Sequence, residues 1–351
     1  MNEKYFPKVE LHLHLDGSFL PETVWELGRA KGIAMPADTL EGYREYLRAT
    51  QHCKSVNEYL ERFDHPLQVM QDAPALTRIT RELVEFLSAQ GMAYAEIRFA
   101  PQLHVQKGLT QRQAVEAVLE GRRQGMENCP GIEIGILLCM MCVGDESVNW
   151  AANCETVELA PAYLGRGVVG VDLAGAEGIV PLRKFAPLFR RASELGLPFT
   201  CHAGDSQGSD TVRDAMDFGA KRIGHGHHIY EDPALCRRAK AEGVTLEICP
   251  TSNIQCKTRA SYAAHPAKNL LDMGIGVCIN TDNMTLAGVE LADEYRHCLE
   301  EMGFTAQDLV EMDRCAIRAS FAPQAVKERI LAALDDEAAA DAALAAAGKI
   351  D

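Results

Sequence analysis

Apolar and polar positions alternate along Val9-Glu10-Leu11-His12-Leu13-His14-Leu15-Asp16-Gly17, the period-two pattern of a β-strand. On such a strand His12, His14 and Asp16 share one face, neighbours lying roughly 7 Å apart. The rhythm then changes. Pro21 to Lys31 reads as a helix, with proline at its start and Gly32 beyond its end. Leu40 to Met70 is helical but irregular; within it Val56, Tyr59, Leu60 and Phe63 recur at three- and four-residue spacing as one apolar face. Leu76 to Gln90 continues helical and stops at Gly91.

Beyond Gly91 strands and helices alternate. The strands are Tyr94 to Phe99, Ile132 to Met141, Val168 to Leu173, Pro198 to His202, Arg222 to His225, Val244 to Cys249 and Val277 to Asn280. Between them lie the helical segments Gln111 to Asn128, Asn153 to Gly165, Pro181 to Leu195, Thr211 to Phe218, Pro233 to Glu242 and Lys268 to Met273. Most of these strands are continuous apolar runs, as in a parallel sheet covered on both sides. With the opening strand they number eight, which closes a (β/α)8 barrel. An open doubly wound sheet fits less well, because no Gly-x-Gly-x-x-Gly follows the first strand. Residues 1–335 are therefore expected to form one α/β barrel, with extra helices after the first strand and at the C-terminal end. The Ala- and acid-rich run 336–351 is expected to be a helical tail outside the core.

Composition narrows the partners. The 351 residues are 47% hydrophobic and 24% charged, enough for a sizeable core. A net charge of -15 argues against nucleic-acid or anionic-membrane binding, which need basic patches. The N-terminus shows no secretory signal, and the longest apolar run, Ile134 to Val143, is too short to span a bilayer. Twelve cysteines in such a chain predict reduced thiols and a cytoplasmic location. The single Cys-x-x-Cys, Cys139 to Cys142, reads as strand-end packing.

In a barrel, chemistry gathers at the C-terminal ends of the strands. Five of the eight predicted strand ends carry His, Asp or both: His12-Leu13-His14-Leu15-Asp16, Asp172-Leu173-Ala174-Gly175, His202-Ala203-Gly204-Asp205, Gly224-His225-Gly226-His227-His228 and Asn280-Thr281-Asp282-Asn283. Histidines with purely structural roles would not respect that rule. Three imidazoles and a carboxylate with a position left for water make a catalytic zinc site, and His12, His14, His202 and Asp282 are the expected ligands of one zinc ion. His225 is then a nearby base or a stabiliser of the attacking hydroxide. His227 and His228 read as loop residues, and His52, His65, His104, His265 and His297 receive no role. A zinc barrel of this kind could hydrolyse an amide, a phosphoester or an amidine-like ring carbon, and spacing does not choose among them.

The segments Pro7 to Gly17, Val171 to Gly175, His202-Ala203-Gly204, Gly224-His225-Gly226, Cys249-Pro250-Thr251-Ser252-Asn253 and Asn280-Thr281-Asp282 resemble, in the same order, those of the adenosine deaminase family. The resemblance also touches Phe63-Asp64 and covers residue 7 to about 325. It implies hydrolysis of adenosine and 2′-deoxyadenosine to inosine and ammonia, with a purine nucleoside as the small-molecule partner. It makes Asp205 the group that protonates ring N1, and His225 a catalytic residue beside the zinc-bound water. His14, Asp16, Gly175 and Asn283 become substrate contacts: Asp16 for the ribose 5′-hydroxyl, the Gly175 N–H for purine N3, Asn283 for N7. Val56, Tyr59, Leu60 and Phe63 become the apolar cover that excludes water. Two departures bear on the base: the family's His-Ala-Gly-Glu ends here in Asp205, one methylene shorter, and Asn283 stands where many members carry aspartate. Ala176 also replaces a common acidic residue. These departures keep open deamination of adenine, of an N6-modified adenine or of aminodeoxyfutalosine, or a weakly active nucleoside-binding protein.

Overall fold

A computed structural model of the chain describes residues 7–48, 56–144 and 148–335, apart from the side chains of Val56 and Asn57. The expected tail 336–351 and His52 lie outside these residues.

Strand β1 (Lys8–His14) is followed by a 3-10 turn at Leu15–Gly17 and by helices α1 (Pro21–Ala30), α2 (Leu40–Leu47), α3 (Val56–Leu60), α4 (Asp64–Val69) and α5 (Ala73–Ala89). Then come β2 (Met92–Phe99), α6 (Gln111–Asn128), β3 (Glu133–Cys142), α7 (Trp150–Leu159), β4 (Val168–Gly175), α8 (Ala186–Glu194), β5 (His202–Ala203) and α9 (Ser209–Asp217). The remainder is β6 (Arg222–His225), α10 (Pro233–Glu242), β7 (Thr245–Ile248), α11 (Pro250–Gln255), α12 (Ala267–Asp272), β8 (Gly276–Ile279), α13 (Met284–Ala287), α14 (Leu291–Glu300), α15 (Ala306–Ala319) and α16 (Gln324–Asp335).

All recorded strand pairs are parallel, in the orders β1-β2-β3-β4 and β5-β6-β7-β8. The two halves join through short bridges. Val171 N donates to Pro198 O at 3.0 Å and Thr200 N to Val171 O at 3.1 Å. His14 N donates to Asp282 O at 2.8 Å and Asp282 N to His12 O at 2.9 Å. The sheet closes on itself as a (β/α)8 barrel. The expected fifth strand, Pro198 to His202, shrinks to a two-residue ladder because Phe199 and Thr200 serve that bridge.

Both faces of β1 are buried. Val9 and Leu11 pack under α15 and α16 with Ile317 and Ile330, whereas Glu10 and His12 face the interior of the barrel. That interior is usually filled by branched apolar side chains. Here one layer of it is ionic: Arg98 and Arg222, 0% and 1% exposed, lie among Glu96, Asp172 and Glu247. The apolar core sits outside the strands, between them and the surrounding helices. The insertion α1–α4 puts α3 and α4 over the mouth.

Candidate active site

The strand ends deliver the expected donors to one point. His12 Nε2 lies 3.5 Å and His14 Nε2 3.3 Å from Asp282 Oδ1, and His14 Nε2 lies 3.3 Å from His202 Nε2. Three ring nitrogens and a carboxylate oxygen within 4.8 Å of one another form a four-donor set. His12 Nε2 is buried without a hydrogen-bond partner, and two imidazole nitrogens 3.3 Å apart offer each other nothing but lone pairs unless one is protonated. Burial lowers the pKa of His12 to about 4 and holds that of His14 well below the usual range, so both rings are neutral at pH 7. Burial raises the Asp282 carboxyl, but the imidazoles of His12, His14 and His225 around it outweigh that and hold the group ionised. Neutral His12 and His14 with the Asp282 carboxylate are donor chemistry that zinc accepts, and His202, whose pKa Asp172 raises against the effect of burial, joins them once its facing nitrogen gives up any proton. His12, His14, His202 and Asp282 could therefore hold a metal ion.

Each donor is oriented from behind. His12 Nδ1 bonds Glu247 Oε2 at 2.9 Å. His202 Nδ1 lies 3.0 Å from Asp172 Oδ2. Ser252 donates to Asp282 Oδ2 at 2.6 Å. Glu247 also accepts from Arg98 at 2.7 Å, Arg222 at 2.8 Å and Thr200 at 2.9 Å, so the ionic layer of the barrel is the floor of the donor cluster. Partners of this kind set which ring nitrogen faces the ion. None of these roles had been expected; charged residues inside strands that must be buried on both faces were the available signal.

Backbone strain marks the same place. His225 and Asp282 both have left-handed backbone, with φ of 59° and 62°, a conformation that costs about 1 kcal/mol or more in non-glycine residues. Gly17 is required by Asn283: a Cβ on Gly17 would fall 1.9 Å from Asn283 Oδ1. Gly175 has φ of 107°, and a Cβ there would meet Cys142 O at 2.5 Å.

The donors open onto a cavity of ≈ 300 Å³. His14, Asp16, Gly175, Asp205, His225, Asp282 and Asn283 line it, together with Tyr59, Leu60 and Phe63 from the insertion. The expected polar contacts are thus brought to one cavity, along with three of the four expected cover residues; the side chain of Val56 lies outside the described residues. Asp16 reaches the cavity differently from expectation. The strand stops at His14, and the turn Leu15–Gly17 carries Asp16 round to the mouth. Asp16 Oδ1 is buried with no partner, and burial raises its carboxyl to about 6. Apolar lining that the sequence had not indicated comes from Leu67, Leu103, Met141 and Val143. Cys139 and Cys142 are buried thiols outside any disulfide, Cys142 Sγ donating to Ala176 O at 3.4 Å.

Asp205 is held on one side only. Its Oδ1 accepts from Asn253 Nδ2 at 2.7 Å and lies 3.1 Å from Thr258 Oγ1 and 3.4 Å from His227 Nε2. Its loop is tied down by Glu177, next to Ala176, whose carboxylate accepts backbone N–H groups of Gly204, Asp205, Ser206 and Gln207 at 2.7–3.0 Å and the Thr211 hydroxyl at 2.6 Å. His228, expected in a loop, lies partly buried in the 3-10 turn His227–Glu231 and pairs with Glu231 at 2.6 Å. His227 and His265 are not bystanders: both are buried, His227 against Asp205 and His265 against Asn253.

Fold and site together define a hydrolase built on a (β/α)8 barrel, with its donor cluster at the mouth. Comparison with known proteins narrows this class. A profile of the adenosine deaminase family matches residues 7–337. An adenosine deaminase from Haemophilus ducreyi is 38% identical over 327 residues, 92% of this chain and 94% of that protein. One from Clostridium acetobutylicum is 37% identical, over 94% of this chain and 97% of that protein. Among solved structures, an adenine deaminase from Arthrobacter aurescens superposes with a TM-score of 0.85 at 27% identity, covering 95% of this chain and 99% of that one. The N6-methyl-AMP deaminase of Arabidopsis thaliana gives 0.81 at 28% identity, over 95% and 97%. The chain belongs to the adenosine deaminase family.

Proposed function

We propose that this protein is a zinc-dependent hydrolase that converts adenosine and 2′-deoxyadenosine to the corresponding inosine and ammonia. The observation that carries this reading is the convergence of His12, His14, His202 and Asp282, at 3.3–3.5 Å contacts, on the cavity that Asp205 and Asn283 line. These four residues would hold one zinc ion. When bound, zinc supplies a hydroxide nucleophile near neutral pH. The chain's own groups do the rest. Asp205 holds a proton at purine N1, which makes C6 electrophilic, and Asn283 reads the N7 edge. Asp16, whose buried Oδ1 lacks a partner, accepts a ribose hydroxyl. Tyr59, Leu60 and Phe63 exclude bulk water, which strengthens every polar contact inside.

The structural relatives include deaminases of a free base and of a nucleotide, so substrate choice has to come from this cavity. Among the described residues no lysine or arginine lines it, whereas Asp16, Asp64, Asp205 and Asp282 do. A dianionic 5′-phosphate would meet carboxylates without a counter-charge, and a free base would leave Asp16 unpartnered. Both costs favour the neutral nucleoside. The test is kcat/KM for adenosine, 2′-deoxyadenosine, adenine, N6-methyladenosine, aminodeoxyfutalosine and AMP. Adenosine and 2′-deoxyadenosine should lead by at least about tenfold, the worth of one unpaired buried polar group. Preference for any other member of the panel would replace this reading.

A further inference from the structure

The proposed reaction needs a proton in a defined place on Asp205 and on the ring of His225. Heavy-atom distances alone leave both open, but donors with no alternative close the question. A backbone N–H can only donate, and so can a guanidinium. Ala267 N donates to His265 Nδ1 at 3.2 Å, so the hydrogen of that ring sits on Nε2. His265 Nε2 is 3.2 Å from Asn253 Oδ1, which places the amide oxygen on that side and turns the Asn253 NH2 the other way. That NH2 has two hydrogens and two partners, Asp205 Oδ1 at 2.7 Å and His225 Nδ1 at 3.1 Å. His225 Nδ1 is therefore an acceptor, and its ring hydrogen is on Nε2. From the other side, Arg259 Nε donates to His227 Nδ1 at 2.8 Å and a terminal nitrogen donates to the His227 carbonyl at 3.1 Å. The His227 hydrogen is thus also on Nε2, 3.4 Å from both Asp205 Oδ1 and Thr258 Oγ1. Burial lowers the pKa of His227 to about 4 and that of His265 well below the usual range, so both rings stay neutral near pH 7.

We propose that Asn253, His265, His227 and Arg259 are positioning residues that fix where the hydrogens of His225 and Asp205 lie. The proposal rests on the deaminase reading above. Oδ1 of Asp205 is taken by Asn253, Thr258 and His227, and no described residue bonds Oδ2. A proton gained by Asp205 therefore goes to Oδ2, on a side chain that lines the cavity. His225 is left a donor at Nε2 with no lone pair there, which selects the stabilising role over that of a base. Because one oxygen is clamped from two directions, the shorter acid presents its other oxygen without the freedom of a longer side chain.

The test is a long-range proton–nitrogen correlation spectrum of the histidine rings in the folded, zinc-loaded protein, assigned with His227→Gln and His265→Gln. The expected result is a pyridine-like Nδ1 and a pyrrole-like Nε2 in His225, His227 and His265. A pyrrole-like Nδ1 in any of the three overturns the proposal. In kinetics, Asn253→Asp replaces two donors by acceptors and should lower kcat about 100-fold, with KM changed by no more than about threefold. Wild-type kcat in that variant would also overturn it. The expected ring spectrum in a protein that turns over no purine would uphold the hydrogen placement and defeat the deaminase reading instead.

Discussion

Glu247→Gln tests the ionic floor beneath the donor cluster. The wild-type carboxylate accepts four hydrogen bonds, from His12 and Arg98 on Oε2 and from Arg222 and Thr200 on Oε1, all between 2.7 and 2.9 Å. Every member of that set is buried. Glutamine keeps the shape, but its NH2 must point at one pair of donors, and the negative charge between two buried guanidiniums is lost. Removing one partner from a buried ion network costs about 3–5 kcal/mol. For a chain of this size a kcal/mol moves the melting temperature by roughly 2 °C, so the drop should be about 6–10 °C. His12 also loses the acceptor on its Nδ1, which should weaken zinc binding roughly 10–100-fold. Differential scanning calorimetry of the metal-free protein reads the first effect, and competition with a chelator of known affinity reads the second. Arg123→Ala is the control, because Arg123 pairs with Glu120 and Glu127 on the open surface and should change neither. A Glu247→Gln protein that melts within about 2 °C of wild type and holds zinc as tightly would refute the reasoning.

Other outcomes follow from single contacts. His14→Ala should abolish bound zinc as well as turnover, since it removes a ligand; full occupancy by elemental analysis would contradict the ligand set. Gly17→Ala should displace Asn283, whose Oδ1 lies 1.9 Å from the added methyl, and lower kcat/KM for adenosine by about tenfold or more while the fold persists. Glu294 is fully buried, and burial raises its carboxyl from 4.5 to about 8. The folded state therefore binds the extra proton between those values, and its stability falls as pH rises through that window. Glu294→Gln, which stays neutral, should gain on the order of 4 kcal/mol over wild type between pH 5 and pH 9 in urea titrations. An unchanged difference across that range would show that Glu294 is not held neutral.

Much of this arrangement is legible in the chain before any coordinates. His12, His14, His202, His225 and Asp282 each end a short apolar run, and a parallel barrel brings all such ends to one mouth. Residues whose role depends on a distant partner were not legible. His227 acquires its place from Arg259, 32 positions away, and a Gly-His-Gly-His-His run reads locally as loop. Glu247 stands inside Thr245–Ile248 as one polar residue in a strand, and only closure of the barrel sets it under His12. Asp16 follows the alternation of β1 in sequence, yet the strand ends before it because Leu15–Gly17 turns to let Asn283 pack over Gly17. Helix limits moved by a few residues where caps compete, as at α5, which begins at Ala73 behind the Asp72 cap rather than at Leu76.

The central claim is adenosine deamination by the zinc-loaded protein. The direct measurement is to incubate the folded protein, carrying one zinc per chain by elemental analysis, with adenosine and follow the ultraviolet spectrum. The account predicts steady conversion of the adenosine spectrum to that of inosine, with equimolar release of ammonia. An unchanged spectrum from folded protein at full zinc occupancy would contradict it.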